Sequence, residues 1–64
     1  MSYNMYYNGT KLDTIKDDKE LKEYLEARSI LCTSMGFFVK AIEKNKLEVF
    51  DNNNKVGVYY AEDT

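Results

Sequence analysis

The chain has 64 residues, a net charge of −2 and a hydrophobic content of 44%. This length allows one domain, residues 1–64, and the composition is globular rather than disordered. The single cysteine excludes an internal disulfide, and without histidine no ordinary zinc ligand set exists. Because so short a chain buries only about 60% of its unfolded surface, we expect either a well-packed core or completion by a second chain, as in a homodimer.

The N-terminal segment predicts a β-hairpin. Residues 3–7 place apolar or aromatic side chains with a period of two, which is typical of a strand. Asn8 and Gly9 follow, and this dipeptide suits a type I′ turn, whose two central residues both need positive φ. The return strand is predicted over residues 10–12, with residues 13–16 as a connector. The alternative is a loop closed by the same turn.

A helix is predicted to begin at Asp17. Asp17 and Glu20, three residues later, match a capping box, which would satisfy two free backbone donors. Apolar residues then recur at i, i+3 and i+4 from Leu21, so one side of the helix is apolar. The helix is expected to end near residue 28 or 29, and residues 30–33 could extend it.

The C-terminal part, residues 37–60, predicts a three-stranded antiparallel meander, because polar clusters at 43–46 and 51–55 separate three apolar runs. The first strand, residues 37–42, has apolar groups on both faces, so we expect it to be central or covered on both sides. Helical spacing over residues 34–44 is the alternative, and the Phe-Phe-Val run favours the strand. The predicted fold class is α+β: a small antiparallel sheet, made of the N-terminal hairpin and the C-terminal meander, with one main α-helix packed on one face.

The sequence carries no recognisable catalytic motif. Nucleophilic catalysis needs an activated nucleophile with a base in reach, and histidine is absent. Cys32 lies beside Ile30 and Leu31, which favours a small buried residue over a reactive thiol. The glycines stand alone, and a chain of this size leaves little room for a pocket of several hundred Å³. We therefore expect no enzyme activity, no cofactor and no metal.

Six tyrosines indicate a binding surface. If the odd-numbered residues of the first strand face inward, Tyr6 faces out. If the even-numbered residues of the last strand face inward, Tyr59 faces out. Exposed tyrosine gives large contact area at low entropic cost, so Tyr6 and Tyr59 are predicted to bind a partner; the alternative is that aromatic residues simply suit half-buried strands. RNA-binding sheets combine aromatics with a basic surface, and this acidic chain predicts no direct nucleic-acid binding.

Acidic residues recur at spacings of three or four along the helix and its entry. They are Asp13, Asp17, Glu20, Glu23 and Glu26. Such a row would lie along one side of the helix and could resemble a phosphate backbone to a basic groove. Interleaved lysines favour the alternative, a solvated helix face. We retain the acidic row as a second candidate partner-binding surface.

Together these patterns predict a small acidic protein-binding module that is not an enzyme, acting as a stoichiometric regulator or inhibitor of a larger host protein. In size, acidity and tyrosine content the chain resembles the small early proteins with which phages inactivate host machinery, a resemblance of composition that covers no motif. The alternatives are an acidic nucleic-acid mimic that blocks a DNA- or RNA-binding protein, and a homodimeric enzyme of unknown class. A lone thiol, no apolar signal segment and no membrane-length run predict a cytoplasmic protein without a membrane partner.

Overall fold

One helix and a five-stranded antiparallel sheet make up the computed structural model, which describes residues 1–64. The elements are β1 (Tyr3–Tyr7), β2 (Thr10–Ile15), α1 (Asp18–Ser34), β3 (Phe38–Ile42), β4 (Lys46–Asp51) and β5 (Asn54–Asp63). The strand order is β2-β1-β5-β4-β3, so β5 joins the N-terminal hairpin to the C-terminal meander. The predicted α+β class, with both sheet components and one helix on one face, is confirmed.

The β1–β2 hairpin turns where the sequence predicts. Asn8 and Gly9 have φ values of 51° and 88°, as a type I′ turn requires. The return strand is longer than predicted, because β2 continues to Ile15 and leaves no connector over residues 13–15. Ile15 lies opposite Tyr3 and is buried. Burial of the Ile15 side chain explains why β1 and β2 remain paired beyond the polar residues of β2.

The start of α1 follows its predicted cap. The Asp17 carboxylate accepts a hydrogen bond of 2.9 Å from the backbone N–H of Glu20. The Glu20 carboxylate accepts from the backbone N–H of Lys16, at 3.2 Å, rather than from that of Asp17. Both carboxylates therefore satisfy free backbone donors at the helix N-terminus, although the second bond differs from a standard capping box.

The end of α1 lies beyond the predicted residue 28 or 29. The helix runs to Ser34, and Gly36 follows with φ 93°. The backbone N–H of Phe37 donates to the Cys32 carbonyl and that of Gly36 to the Thr33 carbonyl, each at 3.0 Å, which is the Schellman arrangement. Cys32 is buried, so the last turns are stabilised by packing that the local sequence does not reveal.

Strand β3 confirms the strand interpretation of residues 34–44 but not its predicted position. It lies at the edge of the sheet and pairs only with β4. The expectation of a central or doubly covered strand is therefore wrong. Its apolar groups divide between the two faces, and Phe38 is 64% exposed. Apolar residues on both faces made the strand look covered, but no residue of β3 is buried, and on its inward face Val39 is half-buried and Ala41 is exposed.

The core lies between α1 and one face of the sheet. Its buried cluster comprises Tyr3, Met5, Ile15, Leu21 and Ala61, and Leu47 and Val49 are buried on β4. The opposite side of the sheet carries no helix, and we call it the open face. By strand register its residues are Asn4, Tyr6, Lys11, Thr14, Phe38, Lys40, Ile42, Lys46, Glu48, Phe50, Lys55, Val58, Tyr60 and Glu62.

Candidate interaction surfaces

Tyr6 lies on the open face, as predicted for an outward-facing side chain. It stands opposite Tyr60 on β5, and the two rings are 5.3 Å apart between centroids at an interplanar angle of 49°. Both side chains are half-buried by their strand neighbours. Tyr6 is thus one member of an aromatic pair, and its role in binding a partner stays a prediction.

Tyr59 does not face outward, so that prediction is wrong. It stands opposite buried Leu47, packs against the core, and its ring centroid is 4.5 Å from that of Tyr7. Burial raises the pKa of Tyr59 above its ordinary value. The inward-facing residues of β5 are instead Gly57, Tyr59 and Ala61. The small residues on either side of Tyr59 leave space for the rings of Tyr59 and Tyr7. The apolar pattern of β5 did not indicate that these small residues face the core.

The structure divides the predicted acidic row. Asp13 lies on β2, opposite Met5, and therefore does not belong to the helix. Asp17 and Glu20 accept the backbone hydrogen bonds at the start of α1. Glu23 and Glu26 are exposed, and neither takes part in the two ion pairs of the protein. Only these last two remain as exposed carboxylates of α1 from this row without a hydrogen bond or ion pair, and Glu26 also borders the groove between α1 and the β3–β4 hairpin.

A polar cluster that the sequence did not reveal joins three elements. The Tyr3 hydroxyl donates to the Asp18 carboxylate, and the Lys44 ammonium lies 3.7 Å from that carboxylate and 3.3 Å from the Tyr3 oxygen. The hydrogen bond to Asp18 raises the pKa of Tyr3, with burial as the second cause. The same bond lowers the pKa of Asp18, and the bond to Tyr3 raises the pKa of Lys44. The cluster holds the start of α1 against the sheet.

A groove of about 500 Å³ lies between the N-terminal half of α1 and the β3–β4 hairpin. Its apolar floor is formed by Leu21, Leu25, Ala41 and Leu47, and its other lining residues are polar or charged. The expectation that the chain leaves little room for such a volume is therefore wrong. A single helix does not cover the full width of a five-stranded sheet, and the groove lies where the helix-facing side of the sheet is left uncovered.

The outer side of α1 carries an exposed apolar surface near its C-terminus. We call it the helix strip, and its members are Ala27, Ile30 and Leu31 of α1 and Met35, the C-cap residue that follows the helix. The last three are 71%, 45% and 65% exposed, respectively. Ile30 lies nine residues, two and a half helical turns, after buried Leu21 and so points away from the core. The sequence shows these apolar residues, but their exposure becomes evident only when the helix extends past residue 29.

No protein-family model, curated protein or solved structure matches the chain. Helix α1 does not combine the length and the apolar character needed to cross a membrane. No group of three or more Cys, Asp or Glu residues is placed to hold a metal ion. What the fold and its surfaces define is a small α+β protein with an apolar helix strip on one side and an uncovered sheet face on the other.

Proposed function

We propose that the protein is a protein-binding module without enzyme activity, a stoichiometric regulator of a larger protein, and that it binds an amphipathic helix of its partner through the helix strip. The observation that carries this proposal is the exposure of Ile30 and Leu31 in the last turns of α1 and of Met35, the residue that caps its C-terminus. Contiguous apolar surface of this kind is typical of interaction sites in soluble proteins.

The spacing of the helix strip suits a helical partner. Residues three and four apart form the ridges that pack into grooves of a second helix, and Ala27, Ile30 and Leu31 have this spacing. The small side chain of Ala27 allows close approach beside the larger ones. Full burial of a side chain such as Ile30 would contribute about 1.5–3 kcal/mol before the costs of association are subtracted.

Two acidic residues at the N-terminal end of the helix strip indicate that the partner carries positive charge there. Glu23 lies one turn before Ala27, and Glu26 one turn before Ile30. Both carboxylates are exposed and lie outside the ion pairs of the protein. A partner helix with Lys or Arg beyond one end of its apolar face would complement both features.

Imitation of nucleic acid has weaker support in this geometry. Asp13 lies on β2, and Asp17 and Glu20 are engaged at the start of α1. Glu23 and Glu26 alone make a short acidic row beside a larger apolar surface. The arrangement therefore favours an apolar interface flanked by two acids over an acidic decoy.

Affinity capture with matched variants tests the proposal. Tagged wild-type protein, Ile30→Asp and the control Leu12→Asp, which alters a residue 45% exposed on β2, are compared in the same lysate. We expect wild type and Leu12→Asp to retain one stoichiometric partner that Ile30→Asp loses. Because Ile30 is exposed, its substitution should leave the thermal unfolding midpoint nearly unchanged.

Charge reversal refines the same test. The double variant Glu23→Lys/Glu26→Lys should weaken capture, and cross-links from position 31 should reach an amphipathic helix with basic residues at one end. The proposal fails if no stoichiometric partner is retained, or if Ile30→Asp retains the partner as well as wild type does. Retention of a second copy of this chain in place of another protein would also contradict it.

A further inference from the structure

The open face concentrates aromatic residues in two clusters. Tyr6 and Tyr60 form the first, on the central strands β1 and β5. Phe38 and Phe50 stand opposite each other on β3 and β4 and form the second. Tyr60 pairs with Lys46, which precedes Phe50 by four residues on β4, so the clusters lie about 13 Å apart along the strand direction.

Basic side chains are also concentrated on this face. By strand register its ionisable residues are Lys11, Lys40, Lys46 and Lys55 against Glu48 and Glu62, a net charge of +2. Lys46, the first residue of β4, also borders the groove on the helix side of the sheet. The remainder of the chain has five basic and nine acidic side chains, a net charge of −4. The overall charge of −2 is therefore the sum of a positive open face and a negative remainder. A negative net charge argues against nucleic-acid binding, but this argument does not apply to the open face, which is positive.

The lysines stand beside the aromatic clusters. Lys11 is opposite Tyr6, and Lys46 is opposite Tyr60, so a basic residue flanks each side of the tyrosine pair. Lys55 is opposite Phe50 in the second cluster. The Lys55 ammonium lies 3.3 Å from the Glu48 carboxylate, so these two charges offset each other and Lys11, Lys40 and Lys46 are the lysines of this face outside an ion pair.

The second cluster borders an open depression of about 590 Å³. Phe38 and Phe50 line it together with Lys40 and the turn residues Asn52 and Asn53. Side-chain amides can donate and accept hydrogen bonds, as the edges of nucleobases require. An unstacked base could thus contact an exposed ring, an ammonium group and an amide in one place.

We propose that the open face binds single-stranded nucleic acid. One base stacks on the Tyr6–Tyr60 pair, a second occupies the depression beside Phe38 and Phe50, and the lysines contact the phosphates. Sheet-borne aromatics flanked by basic residues bind single strands in this way, because unpaired bases expose their faces for stacking. A duplex keeps its bases stacked within the helix and cannot use these rings.

Fluorescence anisotropy with labelled 12-nucleotide oligo(dT) and oligo(rU) tests the proposal. Both strands are compared with a duplex of the same length, and any preference between them shows whether DNA or RNA is the better ligand. We expect single strands to bind more tightly than the duplex. The slope of log K against log salt should be about −2 to −3, as expected for three or four phosphate contacts.

Matched variants assign binding to the open face. Phe38→Ala alters an exposed ring and should weaken single-strand binding by at least about fivefold, the lower range for one stacked base. Lys40→Glu should weaken it several-fold. The control Lys19→Glu makes the same charge change on α1 and should stay within about twofold, because distant charges are screened.

Several outcomes would overturn the proposal. These are no single-strand binding at 50 mM salt, equal binding of the duplex, and equal losses from Lys40→Glu and Lys19→Glu. Tighter binding of a poly-glutamate peptide or of phosphatidylserine vesicles, with the same dependence on Phe38 and Lys40, would assign the open face to a protein or to a lipid surface instead.

Discussion

Gly57 shows how one small residue shapes the core-facing side of the sheet. A Cβ atom built at this position would overlap the hydroxyl of Tyr7, with only 2.7 Å to the Tyr7 ring carbon Cε1. The Tyr7 ring therefore occupies the space that a side chain would fill. The same ring packs 4.5 Å from that of Tyr59, so Gly57 indirectly supports the aromatic contact between β1 and β5.

Gly57→Ala should destabilise the protein by about 1–3 kcal/mol, because the added methyl group displaces the packed Tyr7 ring. Gly57 does not have positive φ, so backbone strain does not contribute to this loss. Urea denaturation of wild type, each single variant and the double variant Gly57→Ala/Tyr7→Ala measures the coupling. We expect the double variant to lose less than the sum of the single losses. Additive losses would contradict the account.

The orientation of β5 could not be predicted from the period of two alone. Its even- and odd-numbered residues both include a tyrosine, and valines at 56 and 58 favour the even set as the core side. The structure buries Gly57 and Ala61 and places Tyr60 on the open face. Large neighbours such as Tyr7 fill the space above the small residues, and that information lies on another strand.

At the level of elements, the Tyr3–Asp18–Lys44 cluster connects β1, the start of α1 and the β3–β4 turn. Residues 3 and 44 are far apart in sequence, so local patterns give no sign of the contact. The hydrogen bond from Tyr3 lowers the pKa of Asp18, which means that the folded state favours its ionised form. The stabilisation from Asp18 is therefore present above its unfolded pKa, near 3.8, and is lost as pH falls through the lower folded pKa.

Asp18→Asn should remove this part of the pH dependence. The stability difference between wild type and Asp18→Asn should be largest near neutral pH and should shrink below pH 3.8, as Asp18 becomes protonated in the wild type. The difference should also shrink above pH 10. The hydrogen bond to Asp18 raises the pKa of Tyr3 in the folded state, so the stabilisation from neutral Tyr3 is lost as pH rises through this raised folded pKa. Urea midpoints from pH 2.5 to 11 test this, with exposed Glu26→Gln as control. Parallel curves for wild type and Asp18→Asn would exclude the proposed link.

Element identity was largely predictable from the sequence, whereas element ends were not. Asn8–Gly9 fixed the first turn and Asp17 the start of α1, because both depend on local backbone chemistry. The ends of β2 and α1 depend on burial of Ile15 and Cys32 against distant residues. Of the candidate site residues, Tyr6 lies half-buried on the open face, and Glu23 and Glu26 are exposed on α1. The positions of Tyr59 and Asp13 depended on the orientation of β5 and on the end of β2, which the sequence left open.

At the scale of the whole molecule, the two proposed binding surfaces lie on opposite sides. Ile30 of the helix strip points away from the core, and the open face is the side of the sheet without the helix. Occupation of one surface leaves the other accessible. A partner protein and a single strand could therefore bind together, which would suit a regulator of a protein that itself acts on nucleic acid.

The central claim is that the partner protein binds the outer side of α1. An NMR titration of ¹⁵N-labelled protein with the captured partner tests this most directly. We expect the largest amide shifts over residues 23–35, and the same titration of Ile30→Asp should show no saturable shifts. Largest shifts in the groove or on the open face, with the C-terminal half of α1 unaffected, would contradict the claim.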